Sequence, residues 1–245
     1  QSYLVPSIGD ATVPLTLAGY DLPSASSADA TPAPGVRTQP CLLVAYGAYG
    51  STLDTSYNPF FAMLMNRGWR VALAHIRGGG ERGNWWHEAG RRMNRLSGVA
   101  DLAECARFLC ALGVTEPSLL AGYGTSAGAL PFAVLVNQHP DVLGALVLRV
   151  PFLAVHQTMI DPSLPLTIHE YAEWGDPSVP EEEDFLRRLD PLLNFRPRKH
   201  PPTFISTAQH DLRAHFTQAL DYLDVIRAHS SGPQSDYHFR LEHGA

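Results

Sequence analysis

Charge, cysteine and long apolar runs are all scarce in this chain, and each scarcity excludes something. Only 17% of the 245 residues are charged, and the formal net charge is −6. No basic stripe stands out, so nucleic acid is not an expected partner. The mild acidity is too small to define a class of substrate. The three cysteines, Cys41, Cys105 and Cys110, are odd in number and include no C-x-x-C pair. They read as small buried hydrophobes rather than a disulfide framework, and reduced thiols fit a cytoplasmic setting. No His, Cys and carboxylate set has the spacing of metal ligands, so no metal or other cofactor is expected. The longest central apolar run, residues 142–148, is cut by Arg149, well short of the roughly 20 residues a membrane span needs. The chain opens on Gln1 rather than Met and is read as a processed or excised piece.

What is present is a chain that is 45% hydrophobic and long enough for one large domain with a substantial core. Two short strand-like stretches, around Leu4-Val5 and Val13 to Leu17, are separated by a Gly9-Asp10 turn. Residues 21–39, rich in Pro, Ser, Ala and Asp, read as a loop or insertion. The pattern then alternates. Strands are expected at 41–46, 70–76, 118–123, 144–150, 203–208 and 237–241. Helices are expected at 57–67, 98–112, 127–137 and 214–228. In the second helix Val99, Leu102, Ala106 and Leu109 share a face. In the last, Phe216, Leu220 and Leu223 are expected to turn inward. Near-continuous apolar strands between amphipathic helices indicate an α/β fold, a mostly parallel sheet with helices on both faces. No internal repeat is visible.

One motif sits where that architecture gives it meaning. Residues 124–128 read Gly-Thr-Ser-Ala-Gly, directly after an expected strand and before an expected helix. This is the context of a G-x-S-x-G nucleophile elbow, in which the serine occupies a strained strand-to-helix turn. Glycines flank it because a Cβ at either place would strike the neighbouring strand or helix. Ser126 is therefore the candidate nucleophile, and the N–H of Ala127 would face the developing oxyanion.

A serine hydroxyl needs a general base, and in this fold the partners follow in the order serine, acid, histidine. Asp211 lies just beyond the strand at 203–208, where active-site loops of open α/β sheets gather. His243 follows the last strand and precedes a glycine. Asp211 would fix the tautomer of the imidazole and stabilise its protonated form. His210 and His215 flank the acid and read as polar loop or helix-surface residues, too close to Asp211 in sequence to form a separate arm.

With those residues in place, the chain resembles the prolyl oligopeptidase family of serine peptidases, and its oligopeptidase B branch more than the prolyl-specific one. The resemblance runs from about residue 41 to 245, more weakly over 1–20. It is carried by YGAYG at 46–50, HIRGGGERG at 75–83, NWWHEAG at 84–90, GTSAGAL at 124–130, VPFLAVHQTMID at 150–161, LPLTIHEYAEWGDP at 164–177 and HDLR at 210–213. It implies one α/β-hydrolase catalytic domain over 1–245, with short peptides as substrates. The family's β-propeller domain and the helix that closes its catalytic domain after the histidine are not in this sequence. It implies that the Tyr46 hydroxyl completes the oxyanion hole and that Arg213 holds substrate carbonyl groups. Glu170 matches one of two glutamates that select a basic side chain, the other being replaced by Ala172. Asp54 matches one of a pair of aspartates tied to the neighbouring subsite, with Ser56 in place of the second. A solvated surface carboxylate is the alternative reading of Glu170 and of Asp54. The run at 75–83 reads as a structural loop in which Arg77 anchors backbone carbonyls. Four residues at three places depart from the family pattern near the chemistry: Thr125 before the nucleophile, Ala129 after the motif, and Leu241-Glu242 before the histidine. Three functions follow as expectations: a serine peptidase acting after basic residues, an esterase or thioesterase of the prolyl endopeptidase-like type, and a catalytically silent interaction domain.

Overall fold

Among the described residues the apolar runs fold as a single eight-stranded sheet. The computed structural model describes residues 1–22, 38–211 and 213–243. Most of the loop expected at 21–39 lies outside the described residues. The strands are β1 (Ser2–Pro6), β2 (Thr12–Ala18), β3 (Cys41–Ala45), β4 (Arg70–Ala74), β5 (Leu120–Thr125), β6 (Ala145–Arg149), β7 (Thr203–Ala208) and β8 (Tyr237–Glu242). They lie in the order β1-β2-β4-β3-β5-β6-β7-β8. The β1–β2 and β2–β4 pairs are antiparallel and the remaining five pairs are parallel. In β3 and β4 every residue is buried, as a strand covered on both faces requires.

Helices cover both faces. The helices are α1 (Pro59–Met65), α2 (Asn84–Glu88), α3 (Arg95–Ala111), α4 (Ala129–Gln138), α5 (Val155–Met159), α6 (Thr167–Trp174), α7 (Pro180–Leu189) and α8 (Phe216–His229). Residues of α3, α4 and α8 join the larger core with Leu43, Ala72 and Ile205 from the strands. On the other face Phe61, Leu64 and Met65, in or at the end of α1, pack on Leu42, Val44, Val71 and Leu73. This is the α/β arrangement expected from the sequence, and Val99, Leu102, Ala106 and Leu109 are all buried in α3.

Three details differ from expectation. In α8 the buried side chains are Gln218, Ala219, Tyr222, Leu223 and Ile226, while Phe216 and Leu220 are only half-buried. Leu223 turns inward as expected, but the inward face is centred about one position earlier than the hydrophobic pattern suggests, on Ala219 and Tyr222 rather than Leu220. Arg77 pairs with a carboxylate rather than mainly with carbonyls. Its Nε and Nη2 donate to the buried Asp101 at 2.9 and 2.6 Å, and its N–H donates to the same group. A buried guanidinium is best matched by a bidentate carboxylate, which the α3 helix supplies. Helices α5, α6 and α7 fill the stretch between β6 and β7, for which no element was expected.

The sheet order places the candidate residues. The chain runs from β3 outward to β4, then returns to β5 on the opposite side of β3. Ligand sites in open α/β sheets lie at the carboxyl ends of strands where the order reverses in this way. Tyr46 follows β3 and Ser126 follows β5, side by side at that point.

Candidate active site

Ser126 leaves β5 and opens a one-turn 3-10 helix, Ser126–Gly128, that runs into α4. Its φ is +53°, in the left-handed region that a residue with a Cβ rarely adopts. The backbone holds it there by close packing. A Cβ on Gly124 would lie 2.6 Å from the Gly128 carbonyl oxygen, and one on Gly128 would lie 2.8 Å from the Ala45 oxygen and 3.0 Å from Tyr46 Cα. The sequence argument for glycines at both places therefore holds. The second contact also shows that the elbow is packed directly on the turn carrying Tyr46. Phe152 N–H donates to the Ser126 carbonyl at 3.1 Å. Ala127 is buried within the first turn, where N–H groups have no partner in their own helix.

A cavity of about 300 Å³ opens in front of the serine, with Ser126, Ala127, Tyr46, Glu170, Trp174 and Arg213 in its walls. Phe152, Met159 and Leu164 make much of the remainder apolar. Burial raises the Tyr46 phenol above its ordinary value, and the positive charge of Arg213 pulls the other way. The net upward shift keeps the hydroxyl protonated, as a hydrogen-bond donor must be.

Glu170 is half-buried, and one of its oxygens is already engaged. Tyr49 Oη donates to Glu170 Oε2 at 2.9 Å and Trp174 Nε1 donates to it at 3.0 Å. Burial first, and the Glu170 charge second, push the Tyr49 phenol up. Three residues further along α6, Glu173 is buried and gathers donors from three other segments. Tyr49 N–H reaches it at 2.7 Å, Arg95 Nη2 at 2.6 Å and His87 Nε2 at 2.7 Å. Burial works against this carboxylate, but Arg95, the Tyr49 amide and His87 together hold it below its usual range. Arg95 also donates to the Gly47 carbonyl at 2.7 Å. The loop carrying Tyr46 is thereby fastened to α3 and α6. Gly78 serves the same loop, since at φ +97° a Cβ there would lie 2.1 Å from the Gly47 oxygen.

The expected acid and base reach the same end of the sheet but are not hydrogen-bonded to each other. Asp211 Oδ1 accepts from the N–H groups of Arg213 and Ala214 at 2.8 and 3.0 Å. His243 is exposed, and its Nδ1 lies 2.6 Å from Gln209 Oε1. Asp54 does not line the serine cavity. It is exposed, accepts from Ser56 N–H and Oγ, and borders a different hollow beside Tyr57 and Phe61. Both flanking histidines are exposed, and His215 also caps α8 and lines the serine cavity.

The chain matches the prolyl oligopeptidase family over residues 55–244. It belongs to that family. Members it resembles include the prolyl endopeptidase-like protein of Rattus norvegicus, 36% identical over 207 residues that make up 82% of this chain and 28% of the relative. Another is protease 2 of Moraxella lacunata, 32% identical across 77% of this chain and 27% of the relative. Among solved structures, oligopeptidase B from Leishmania major superposes with a TM-score of 0.89 at 29% identity, covering 100% of this chain and 32% of that one. The chain thus spans about a quarter to a third of the length of its relatives. The fold shared with those structures is the α/β-hydrolase catalytic domain of the family. The family match includes Ser126, Asp211 and His243 and begins just after Tyr46 and Asp54.

Several residues at this family site escaped sequence reasoning. Tyr49 and Trp174 lay inside the quoted blocks, but nothing in their spacing signalled that they share a carboxylate. Gln218 looked like an ordinary helix residue. It is buried, and its Oε1 accepts from the N–H groups of Leu153 and Ala154, fixing the chain just beyond the end of β6. Gln209 gave no signal at all, because its partner lies 34 residues away.

Proposed function

We propose that this domain is the catalytic part of a serine peptidase that hydrolyses short peptides. The observation that carries the reading is the strained Ser126 elbow opening, with Tyr46 and Ala127, into one partly apolar cavity. In this reading Ser126 Oγ attacks the scissile carbonyl while His243 Nε2 takes its proton. The Tyr46 hydroxyl and the Ala127 N–H meet the charge that develops on the oxygen, a donor role worth about 10²–10³ in rate for each group. The imidazolium then gives its proton to the departing amine, and water repeats the cycle on the acyl-enzyme. Asp211 is the acid, and its carboxylate must leave the Arg213 and Ala214 amides, or share with them, to reach the imidazole. Arg213 holds a substrate carbonyl, and the free oxygen of Glu170 pairs with a basic side chain. Asp54, on a separate hollow, has no part in it. The cytoplasm suits the three unpaired thiols.

A fluorophosphonate probe tests the reading. It should label the wild-type chain covalently, and Ser126→Ala should abolish labelling and lower turnover by about 10⁴. A wild-type chain that does not label would make this a silent domain. One observation favours a second reading, hydrolysis of esters or thioesters. Asp211 and His243 are not hydrogen-bonded, and an alkoxide or thiolate departs with less proton donation than an amine. Parallel turnover of an arginyl amide and a short-chain thioester separates the two.

A further inference from the structure

We propose that Gln209 is a positioning residue that holds the His243 imidazole in the tautomer a general base requires, an inference that rests on the serine hydrolase reading above. The general base must present a bare nitrogen to the nucleophile, so its other ring nitrogen must carry the hydrogen and be held by an acceptor. In the structure that acceptor is Gln209 Oε1, 2.6 Å from His243 Nδ1. A carbonyl oxygen cannot donate, so this contact places the hydrogen on Nδ1 and leaves Nε2 free.

The contact follows from the strands. β7 and β8 run parallel to their ends, with Ala208 opposite Glu242. Gln209 N–H then donates to the Glu242 carbonyl at 3.0 Å, extending the ladder by one step. The next residue on each chain is thus fixed relative to the other, and their side chains meet. Asp211 sits two residues further along, with Oδ1 accepting from the amides of Arg213 and Ala214. In this arrangement the amide holds the ring and the carboxylate is turned toward its own loop, so Asp211 reaches the imidazole by sharing the Nδ1 hydrogen with Gln209 and supplies the charge that the amide lacks. An amide can orient an imidazole but carries no charge to stabilise the imidazolium.

That difference gives the test. The charged and titratable groups on the adjoining segments are Arg240 and Glu242 on β8, whose Nε and Oε1 are 3.6 Å apart and which border one hollow with Arg149 of β6, and His210, Asp211 and Arg213 just beyond β7. None of these is altered by a change at Gln209. Gln209→Leu removes the acceptor and should lower kcat ten- to a hundred-fold with KM nearly constant, because the ring is no longer held in line. Gln209→Glu restores an acceptor and should recover most of that loss. The introduced carboxylate favours the protonated imidazole, so the rising limb of its pH–rate profile should move up by about one unit. Nitrogen-15 chemical shifts of the His243 ring supply a readout independent of turnover. They should show the Nδ1–H tautomer in the wild type, a tautomer mixture in Gln209→Leu and an upward-shifted titration in Gln209→Glu. A ring whose tautomer and titration ignore both variants overturns the proposal, even in a chain that reacts fully with the fluorophosphonate. Conversely, an Nδ1–H ring that depends on Gln209 in a chain that never labels overturns the hydrolase reading and leaves the contact itself established.

Discussion

A phenol can stabilise an oxyanion only while it keeps its proton, and the half-buried setting of Tyr46 ensures that it does. Tyr46→Phe keeps the ring and removes the donor. It should lower kcat by about 10² with little change in KM, because the charge it meets exists mainly in the transition state. A loss confined to KM would assign Tyr46 to substrate binding. Glu170 makes the complementary case for selectivity. Tyr49 and Trp174 both donate to Oε2, so Oε1 is the atom left for a substrate cation. One partly desolvated charge pair should yield a preference for arginyl over norleucyl substrates of on the order of 10- to 100-fold in kcat/KM. Glu170→Gln should erase it. If the variant keeps the preference, Glu170 is a bystander in the wall. At this scale the sequence was most legible where backbone geometry dictates residue type. Gly124 and Gly128 were readable because a Cβ at either would strike backbone, and Ser126 because those glycines bracket it in the G-x-S-x-G pattern. The Gln209–His243 and Tyr49–Glu170 contacts were not, because a hydrogen bond between side chains 34 or 121 residues apart leaves no local pattern.

Among the elements, strands were readable and the helices of the 151–202 stretch were not. β3, and β4 after Arg70, are continuous apolar runs, whereas α5 has five residues and α6 eight, too few to show a helical period. α7 did carry a signal: Pro180 at its start, Glu181 to Glu183 in the first turn and Arg187-Arg188 in the last. The function of these short helices lies in what they fasten. Glu173 on α6 ties Arg95 of α3, His87 of α2 and the Tyr49 amide into one buried cluster. Arg95→Met would leave that carboxylate buried without its main counter-charge, a change that typically costs about 3–5 kcal/mol. The melting temperature should fall by several degrees, and a fall no larger than that of an exposed Arg107→Met control would show that the cluster contributes little. The pH dependence has a definite sign. The folded-state value of Glu173 is depressed below its ordinary 4.5, so its contribution is present above that value and is lost as the pH falls through the lower, folded one. Wild-type stability should therefore decline on acidification below about pH 4.5 more steeply than that of Glu173→Gln, as followed by thermal melts. Equal slopes would remove Glu173 from the account of acid stability.

Across the whole molecule, the proposed nucleophile and the proposed base are mounted on unequal supports. Ser126 follows β5, an interior strand hydrogen-bonded to β3 on one side and β6 on the other. His243 follows β8, which among the described residues is the last strand of the sheet and pairs with β7 alone. Packing repeats the asymmetry. Of the six residues of β8 only Tyr237 is fully buried, whereas four of the six in β5 are. The start of β8 is anchored, with Tyr237 hydroxyl to Ser230 and Arg227 Nη2 to the Tyr237 carbonyl at 2.7 Å. Its far end, next to the proposed base, is half-buried or exposed. Local opening follows burial and hydrogen bonding, and elements at a sheet edge open at lower free energy than those in the centre. Amide hydrogen exchange should therefore find residues 239–243 exchanging at least about tenfold faster than 120–125, with protection rising toward Tyr237. An active-site ligand that engages both Ser126 and His243 should slow exchange at 239–243 and leave 120–125 nearly unchanged, because only the base is free to gain order. Uniform protection along β8, or equal slowing of both strands, would mean that the base is held as rigidly as the nucleophile and that the sheet edge imposes no dynamic cost on the site.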